Sequence, residues 1–496
     1  MTEEGAIQLD SEVKKMFLAG LPLSKTRCPD CLIKGYMKHG VDLQYTQKIS
    51  EADASVLRRL LLTGPPVEDL ILLKISRRAF KVAFDDLDEC PSLNYVYFHI
   101  DCEGEALGTN LSAAFRNLRT MELRCDNVGR EFAVEIANYI RQSKSLRTLV
   151  LWNSCGGDEG AITLIHALAA NDTLKSFSLA DMKLSSNIVI GFAEMLAYNT
   201  TLESVDLSLS CSPDKDMVCW LLAQGRYPNV FKRICVVWPE QLLPELTFLV
   251  RRQACYPTLA VQVGSSVNEH VLWEFFVAVA ADTTVRRLIL EVPEHRPETF
   301  DALAEGIAFL VTRTMTLREM VIDIDIKPGK VHHVVRILDA LRWNRSIKTI
   351  IMRAESMTQE LATSFAQLLS VNSTLSAIHY GNLPDIHISH AETILRALTT
   401  NYTLTTLEVT SDPELLHAMG AMEALLERNK ELERKAARFV ASGADVSDRE
   451  GLDALNKLRS SPGLVERLHR ITGETEEVAF EAILSTLAHL SLGSYL

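Results

Sequence analysis

The chain has 496 residues, which is too long for one ordinary globular core and implies either several domains or growth by repetition. Its 51 basic and 64 acidic residues give a net charge of −13. The densest basic runs, such as Arg251-Arg252 and Arg286-Arg287, are isolated pairs. Because an acidic protein without a basic patch repels phosphate backbones, we expect no nucleic-acid partner.

The N-terminus and the cysteine usage favour a reducing compartment. The first residues show no basic start followed by an apolar run, as a secretory signal would. The longest apolar stretch, around Val271 to Ala281, is too short to span a bilayer. Ten cysteines in so long a chain do not suggest a disulfide scaffold. We therefore expect a cytoplasmic protein that makes no membrane contact.

Residues 1–64 are predicted to form an N-terminal cap or an irregular segment. They contain Cys28-Pro-Asp-Cys31, but no second cysteine or histidine pair follows at the spacing of a zinc finger. Since a structural zinc site needs four ligands, we interpret this motif as a reduced pair rather than a metal site.

Residues 65–430 repeat one phrase, a small turn followed by apolar-x-x-apolar-x-apolar. Its clearest copies start at Leu118, Leu146, Leu174 and Leu202, and each step between them is 28 residues. Other copies start at positions 67, 93, 230, 259, 285, 317, 347, 375 and 404, which makes about 13 units. The copies between residues 210 and 270 are degenerate, and their register is open.

Each unit is predicted to contain one short strand and one helix. The apolar-x-apolar triplet has the period of a strand with one buried face, and residues 158–168 show apolar residues three and four apart, as in a helix. Each helix ends near an asparagine such as Asn199, which we interpret as the site of a left-handed turn. Five of six Asn-x-Ser/Thr triplets fall at this place and are interpreted as turn chemistry rather than glycan sites.

Stacking of such units predicts an α/β leucine-rich-repeat horseshoe solenoid, with parallel strands inside and helices outside. The alternative is an eight-fold α/β barrel, which needs only eight units, longer strands and more variable connections. About 13 units of nearly constant length favour the horseshoe.

The segment 151–174, from Leu151-Trp-Asn-Ser-Cys-Gly-Gly through Asn171-Asp-Thr-Leu174, resembles the ribonuclease-inhibitor type of leucine-rich repeat. Ribonuclease inhibitor, the sensor arms of NOD-like receptors and Ran GTPase-activating proteins share this repeat. The resemblance covers roughly residues 65–430 and implies the fold. It implies no single activity, because the members share a scaffold.

Residues 431–496 leave the repeat and are predicted to form a helical C-terminal cap. Ser447 and Glu450 have the spacing of a capping box, and Ser461-Pro462 is typical of a second helix start. Such a cap would cover the last apolar face of the solenoid.

The motifs of catalysis and nucleotide binding are not found in the sequence. There is no phosphate-binding loop, no Gly-x-Ser-x-Gly elbow and no His-Glu-x-x-His helix. The histidines at 379, 387 and 390 could in principle meet a metal, but they are predicted to lie on a strand and on the next helix. We expect no catalytic residue, no metal and no cofactor.

The candidate site is the concave strand face. The middle residue of each strand triplet, and the residue after the triplet, point away from the buried side. In chain order these residues are Glu122, Arg124, Val150, Trp152, Ser178, Asp206, Ser208, Ile289, Glu291, Val321, Asp323, Ile351, Arg353, His379 and Glu408.

Trp152 is the strongest single candidate on this face, since tryptophan is enriched at binding hot spots. An equal alternative is that it packs against Arg124 without any partner. Val150, Ile289, Val321 and Ile351 are predicted to form an apolar row, which marks either an interaction surface or a groove filled by the protein's own terminal segments. The acidic residues around this row favour a partner protein with basic residues around an apolar centre.

We therefore predict a protein-binding scaffold or recognition module and not an enzyme. One alternative is a GTPase-activating protein of the Ran-activating type. Members of that family typically carry a strongly acidic C-terminal tail, whereas residues 488–496 of this chain contain no acidic residue. The other alternative is a substrate receptor of a ubiquitin ligase, whose adaptor-binding helices would have to lie within residues 1–60.

Overall fold

The computed structural model describes residues 31–493, and the chain divides into two compact units between Val237 and Trp238. The description omits positions 38–39, 46–47, 64–66, 86, 88–91, 103, 127, 129, 209, 225–228, 265–266, 293–296, 325–330, 354–356, 382–386, 410–415, 446 and 460. The motif at Cys28 lies outside the described residues.

The first unit contains a nine-stranded sheet in which the strand order follows the chain order. Its strands are β1 Cys31–Met37, β2 Gly40–Tyr45, β3 Val67–Ser76, β4 Tyr95–Asp101, β5 Thr120–Asp126, β6 Thr148–Trp152, β7 Ser176–Ala180, β8 Ser204–Asp206 and β9 Ile234–Cys235. Strands β1 and β2 pair antiparallel, and the pairs from β2 to β9 are parallel. The helices between them are α1 Glu51–Thr63, α2 Arg77–Phe84, α3 Leu111–Ala114, α4 Arg130–Gln142, α5 Asp158–Ala169, α6 Asn187–Tyr198 and α7 Lys215–Ala223.

The second unit is built in the same way around a seven-stranded sheet. Its strands are β10 Val237–Pro239, β11 Thr258–Gln262, β12 Arg287–Val292, β13 Glu319–Ile324, β14 Thr349–Arg353, β15 Ala377–Gly381 and β16 Thr406–Val409. Its helices are α8 Leu243–Arg251, α9 Glu269–Ala281, α10 Pro297–Arg313, α11 Val331–Leu341, α12 Gln359–Val371, α13 Ile388–Leu398, α14 Leu416–Ala441, α15 Arg449–Leu458, α16 Pro462–Thr472 and α17 Glu476–Gly493.

Parallel strands therefore alternate with helices in two sheets, as the repeat predicts. Each of the predicted copies from position 67 to position 404 supplies one strand. Within a strand such as β5, Met121, Leu123 and Cys125 are fully buried while the residues between them are half-buried. The apolar side of each strand packs against the apolar stripe of its helices, and the two together form the core. The degenerate stretch, residues 210–270, contains the very short strands β9 and β10 and the boundary between the two sheets.

Buried asparagines join several of the repeats to the ones before them. The Asn199 carbonyl Oδ1 accepts hydrogen bonds from the backbone N–H groups of Thr201 and Leu202, both at 2.8 Å. Its Nδ2 donates to the carbonyl oxygens of Leu168, at 2.7 Å, and Asn171, at 3.0 Å. One side chain thus satisfies donors in its own turn and acceptors in the preceding repeat, which is what burial of these backbone groups requires.

The same arrangement recurs in both units. The side-chain amides of the other members also donate to backbone carbonyls of the preceding repeat, and these members are Asn171, Asn344, Asn372, Asn401 and Asn429. The interpretation of the Asn-x-Ser/Thr triplets as turn chemistry is confirmed. The left-handed turn was wrong, because Asn199 has φ −80° and ψ 109° and Asn372 has φ −79° and ψ 126°, which is extended backbone.

The C-terminal residues form helices α14 to α17, which share a hydrophobic cluster. Its buried members are Ala436, Ala437, Phe439, Val440, Ala454, Leu455, Leu458, Leu464, Leu468, Ala479 and Ile483. Helix α14 runs through residue 430, where the repeats were expected to end. Asn429 is fully buried within it and bonds the carbonyl of Leu404, so the first of these helices is held to the last repeat.

Two helix starts in this region test the capping motifs. The capping box at Ser447 was wrong, because Asp448 caps α15 by accepting from the Gly451 N–H at 2.9 Å. The Ser447 hydroxyl donates instead to Asp445. Ser461 does precede Pro462 at the start of α16, as predicted. Of the helices that the structure describes, none has the length and apolarity to cross a membrane.

The asparagine at 372 and its counterpart Asp282 offer a paired test. In Asn372→Ala, the N–H groups of Thr374 and Leu375 lose their acceptor, and the carbonyls of Leu341 and Asn344 lose their donor. We expect a loss of about 3 kcal/mol in urea denaturation, because buried unpaired groups cost about 1–3 kcal/mol each.

Asp282 also accepts from two backbone N–H groups with Oδ1, but its Oδ2 is buried without a hydrogen-bond partner in the part of the chain that the structure describes. Asp282→Asn removes a buried carboxylate and should raise the stability by about 1 kcal/mol. The control is Asn138→Ala on the exposed side of α4, which should leave the denaturation midpoint unchanged. An equal loss in the Asn138 and Asn372 variants would contradict the role given to the buried amides.

Candidate protein-binding face

The half-buried residues of the strands form what we call the strand face, the side of each sheet opposite its buried side chains. In the first unit, backbone pairing places Glu122 opposite Val150, Val150 opposite Ser178, and Ser178 opposite Asp206. A second register row places Arg124 opposite Trp152. The sequence rule therefore identified neighbours correctly here, since side-chain alternation fixes which residues share a face.

Arg124 and Trp152 are partly enclosed at this face. The Arg124 Nη1 lies 3.9 Å from Asp181 Oδ2, and 41% of the Arg124 side chain is exposed. Its Nε is buried without a hydrogen bond among the described residues. The indole Nε1 of Trp152 is also buried and makes no hydrogen bond of standard geometry among the described residues. Two donors are thus removed from water without a partner of standard geometry, an arrangement that costs free energy in the free protein.

The Glu122 side chain on β5 interacts with Tyr95 on β4 and with Trp152 on β6. Burial raises the pKa of Glu122 above its ordinary value, and the hydroxyl of Tyr95 and the indole of Trp152 act against that rise. The burial of Tyr95 and the nearby Glu122 carboxylate likewise raise the pKa of the Tyr95 hydroxyl, so that it stays a proton donor. The carboxylate is consequently held among aromatic side chains rather than in open solvent.

Strand β4 brings residues to this face that the sequence analysis missed. Tyr95 and Tyr97 are half-buried, and Tyr97 pairs opposite Glu122. His99 pairs opposite Arg124, and its Nε2 lies 2.7 Å from Asp126 Oδ2. The copy starting at position 93 carried the signal, because the same alternation rule applied there selects both tyrosines. We call Tyr95, Tyr97, Glu122, Arg124 and Trp152 together the aromatic patch.

The second unit presents an apolar row. Backbone pairing aligns Ile289 with Val321, Val321 with Ile351, and Ile351 with His379. Ile289, Val321 and Ile351 are half-buried, so they are the apolar part of this strand face. Ala260 continues the alignment on β11 but is buried.

Polar pairs border the apolar row. Glu291 accepts a hydrogen bond from the Gln262 side chain at 3.1 Å. The Arg287 Nε lies 3.0 Å from Glu319 Oε1. The row therefore has an apolar centre with charged groups at its edge, the usual composition of a binding surface.

Some of the predicted face residues lie elsewhere. Ser208 is only 7% exposed, and its backbone N–H donates to Asp206 Oδ1, because β8 ends at Asp206 and the chain turns there. Its placement on the face was wrong. Val150 belongs to the nine-stranded sheet, so the expected four-residue apolar row consists of three residues of the other sheet. The side chains of Asp323, Arg353 and Glu408 lie outside the described residues, although their backbones pair opposite Glu291, Gly381 and His379.

No metal site was predicted, but the structure gathers one potential metal-ligand group among the described residues, and it does not include the histidines at 379, 387 and 390. The ligand atoms of Asp301, His332 and His333 lie within 4.8 Å of one another. His387 instead caps α13 by accepting from the Ser389 N–H, and its ring centroid lies 5.8 Å from that of His390. The sequence did not reveal the group because Asp301 and His332 lie on different helices, α10 and α11.

Comparison with known proteins gives a partial relative. The chain is 30% identical over 109 residues to the mouse NACHT, LRR and PYD domains-containing protein 12. The match covers 22% of this chain and spans about a tenth of the relative, 10%. It is consistent with a leucine-rich-repeat family and does not distinguish the ribonuclease-inhibitor type.

A solved structure, the actin-binding site 2 of leiomodin-1, matches 41% of the chain and 98% of its own length, at 16% identity and a TM-score of 0.26. No family model matches the chain.

The raised pKa of Glu122 predicts a pH-dependent stability. The folded protein keeps this proton to a higher pH than the unfolded chain, so the stabilisation is present at low pH and is lost as the pH rises through the raised pKa. Glu122→Gln stays neutral. Its denaturation midpoint should therefore rise relative to that of the natural protein as the pH increases above about 4, the ordinary glutamate pKa, and through the raised pKa.

Glu131→Gln, on the exposed side of α4, provides the matched control and should show a constant difference over the same range. If the Glu122 and Glu131 variants follow the same pH curve, the Glu122 carboxylate is not set apart by burial.

Proposed function

We propose that this chain is a leucine-rich-repeat protein of the ribonuclease-inhibitor type that binds another protein through its strand face and catalyses no reaction itself. In this proposal the strands form the concave surface of a horseshoe and the helices form its outer surface. The 28-residue step and the buried asparagines support the repeat type, since both recur where strand and helix alternate. The likeness to a leucine-rich-repeat protein points in the same direction.

The aromatic patch is the observation that carries the binding proposal. It combines two tyrosines, one tryptophan and one arginine, the residue types that dominate protein-binding hot spots. One of its donors, Arg124 Nε, is buried without a hydrogen bond among the described residues. A partner acceptor placed against this donor would restore a missing bond and so gain more than a contact in water would.

The charges around the patch indicate the chemistry of the partner. Asp126, Asp181 and Asp206 lie on or beside the strand face of the first unit, and the whole chain carries a net charge of −13. We infer a cytoplasmic partner that presents basic residues around an apolar centre, which complements acidic groups around aromatic rings.

The experiment compares three alanine variants of the full chain. Trp152→Ala removes the largest side chain of the patch and should weaken partner binding by about 2 kcal/mol, or roughly thirtyfold in Kd, while the fold is kept. Leu151→Ala removes a fully buried side chain and should cost about 2–5 kcal/mol of stability. Trp343→Ala is the matched control, because this tryptophan is 70% exposed and lies outside the strands.

The measurement is quantitative affinity capture from the native source, followed by a titration with the purified binding protein. Proteins retained by the natural chain and by Trp343→Ala, but lost with Trp152→Ala, are the expected partners. The proposal is wrong if Trp152→Ala retains the same proteins with the same Kd. It is equally wrong if Trp152→Ala lowers the melting temperature as much as Leu151→Ala.

A further inference from the structure

A polar cavity of about 220 Å³ lies in the second unit, between the starts of two strands and the C-terminal helices. Ser376 and Thr405 line it from the residues just before β15 and β16. The remaining lining comes from α14 and α16, and consists of Lys430, Glu433, Arg434, Gly463, Glu466, Arg467 and Arg470. The cavity is separate from the aromatic patch, which belongs to the first unit.

Four cationic side chains therefore meet in one place in a chain of net charge −13. The sequence analysis found no basic patch, and that expectation was wrong here. The reason is that the cations come in two pairs, four residues apart on α14 and three residues apart on α16, and packing of the two helices brings the pairs together. Neither pair forms a continuous run of basic residues in the sequence.

Of the two acidic residues in the lining, Glu466 forms ion pairs, and Glu433 has a raised pKa. Glu466 Oε1 lies 2.5 Å from the Nζ of the buried Lys348, and its Oε2 lies 3.7 Å from Arg470 Nη2, so Glu466 is shared between two cations. Lys430 and Arg434 are paired with Glu427 and Glu431, which do not line the cavity. Arg467 has no ion pair among the described residues, and its guanidinium is thus the cation most open to a ligand.

Glu433 is the second unusual group of the cavity. Its Oε1 is buried without a hydrogen-bond partner among the described residues, and a Cβ at Gly463 would lie only 2.1 Å from that oxygen, so any side chain there would displace the carboxyl. Burial raises the pKa of Glu433 to about 7, against the effect of Arg467 and with that of Glu466. The carboxyl is therefore neutral in about half of the molecules at neutral pH, and the cavity is then more positive.

We propose that this cavity binds a tetrahedral oxyanion of the phosphate class, with Arg467 and Arg470 as its main ligands and Lys430 and Arg434 completing the positive field. Guanidinium groups bind such anions through paired, charge-assisted hydrogen bonds, which lysine alone does not provide. The hydroxyls of Ser376 and Thr405 line the strand side, but each already donates to a backbone carbonyl, that of Lys348 at 3.2 Å and that of Ser376 at 3.1 Å. The cations therefore supply the hydrogen bonds to the anion. The source of the anion is either free phosphate or a phosphorylated side chain.

Calorimetric titration of the full chain at low ionic strength tests the proposal. The probes are inorganic phosphate, N-acetyl-phosphoserine amide and N-acetyl-serine amide. We expect saturable binding of the two phosphate compounds and none of the unphosphorylated one. Tighter binding of inorganic phosphate identifies a free anion as the ligand, whereas tighter binding of the phosphoserine compound identifies a phosphorylated protein. Both outcomes support an oxyanion site.

Arg467→Gln should weaken phosphate binding about tenfold or more, because one charge-assisted pair of hydrogen bonds is lost. Arg470→Gln, whose side chain is 67% exposed, provides a second variant that leaves the packing of α16 unchanged. Arg438→Gln on the exposed side of α14 is the matched control and should bind as the natural protein does. Absence of saturable binding by either phosphate compound overturns the proposal, as does equal affinity in the Arg467, Arg470 and Arg438 variants.

A pH series with sulfate isolates Glu433, because sulfate keeps a constant charge between about pH 6 and about pH 8. The groups facing Glu433 are Glu466, Arg467 and Arg470, and no histidine lines the cavity among its described residues. As Glu433 ionises, its charge opposes the anion, so the sulfate Kd should rise several-fold over this range. In Glu433→Gln the Kd should stay constant, and a pH dependence equal to that of the natural protein would overturn this role of Glu433.

Discussion

The hydrogen bonds of the buried asparagines hold successive repeats together. A helix that ends against a strand leaves backbone N–H and C=O groups in a dry place, and these groups must be satisfied. Asn199 satisfies two donors of its own turn and two acceptors of the preceding repeat, and Asn372 does the same in the other unit. No apolar residue at this place could do so. Ser143 and Thr314 occupy the same place in other repeats, where their hydroxyls accept from the backbone N–H groups of Leu146 and Leu317.

Arginine side chains make further hydrogen bonds of this kind near the ends of the two sheets. Arg233 donates to the carbonyls of Leu196, Asn199 and Leu202 near the end of the first sheet. Arg428, next to Asn429, donates to the carbonyl of Asn401 and so ties α14 to the last repeat. Burial lowers the pKa of both guanidinium groups, which nonetheless stay charged and bond several carbonyls at once. The same requirement is thus met by a longer side chain where the regular repeat ends.

The two proposed binding regions differ in their chemistry for a physical reason. The aromatic patch is built from strand residues that alternate with the core, so its side chains are large and closely packed, and they carry buried donors. The polar cavity of the second unit is lined mostly by long side chains of α14 and α16, beside the starts of β15 and β16. The first arrangement suits a partner with apolar and basic groups, and the second suits a small anion.

The sequence by itself determined the alternation of strand and helix, the places of the strands and the residues that share a strand face. These follow from two local patterns. The clearest repeats start 28 residues apart, and apolar and polar residues alternate with period two inside each strand. Arg124 opposite Trp152, and Ile289 opposite Val321, were accordingly found from spacing alone. The asparagines were recognised by their position, but their function was not, because the acceptors of their amides lie in the preceding repeat.

Only the tertiary structure decided what surrounds each of these residues. The contact of Tyr95 with Glu122 and the burial of Ser208 depend on the neighbouring strand and on the turn after β8. The cavity depends on how α16 packs against α14, which brings Arg467 near Glu433 although no local pattern relates them. Local periodicity fixes which side of an element is buried, whereas distances between elements are set by packing of all the side chains between them.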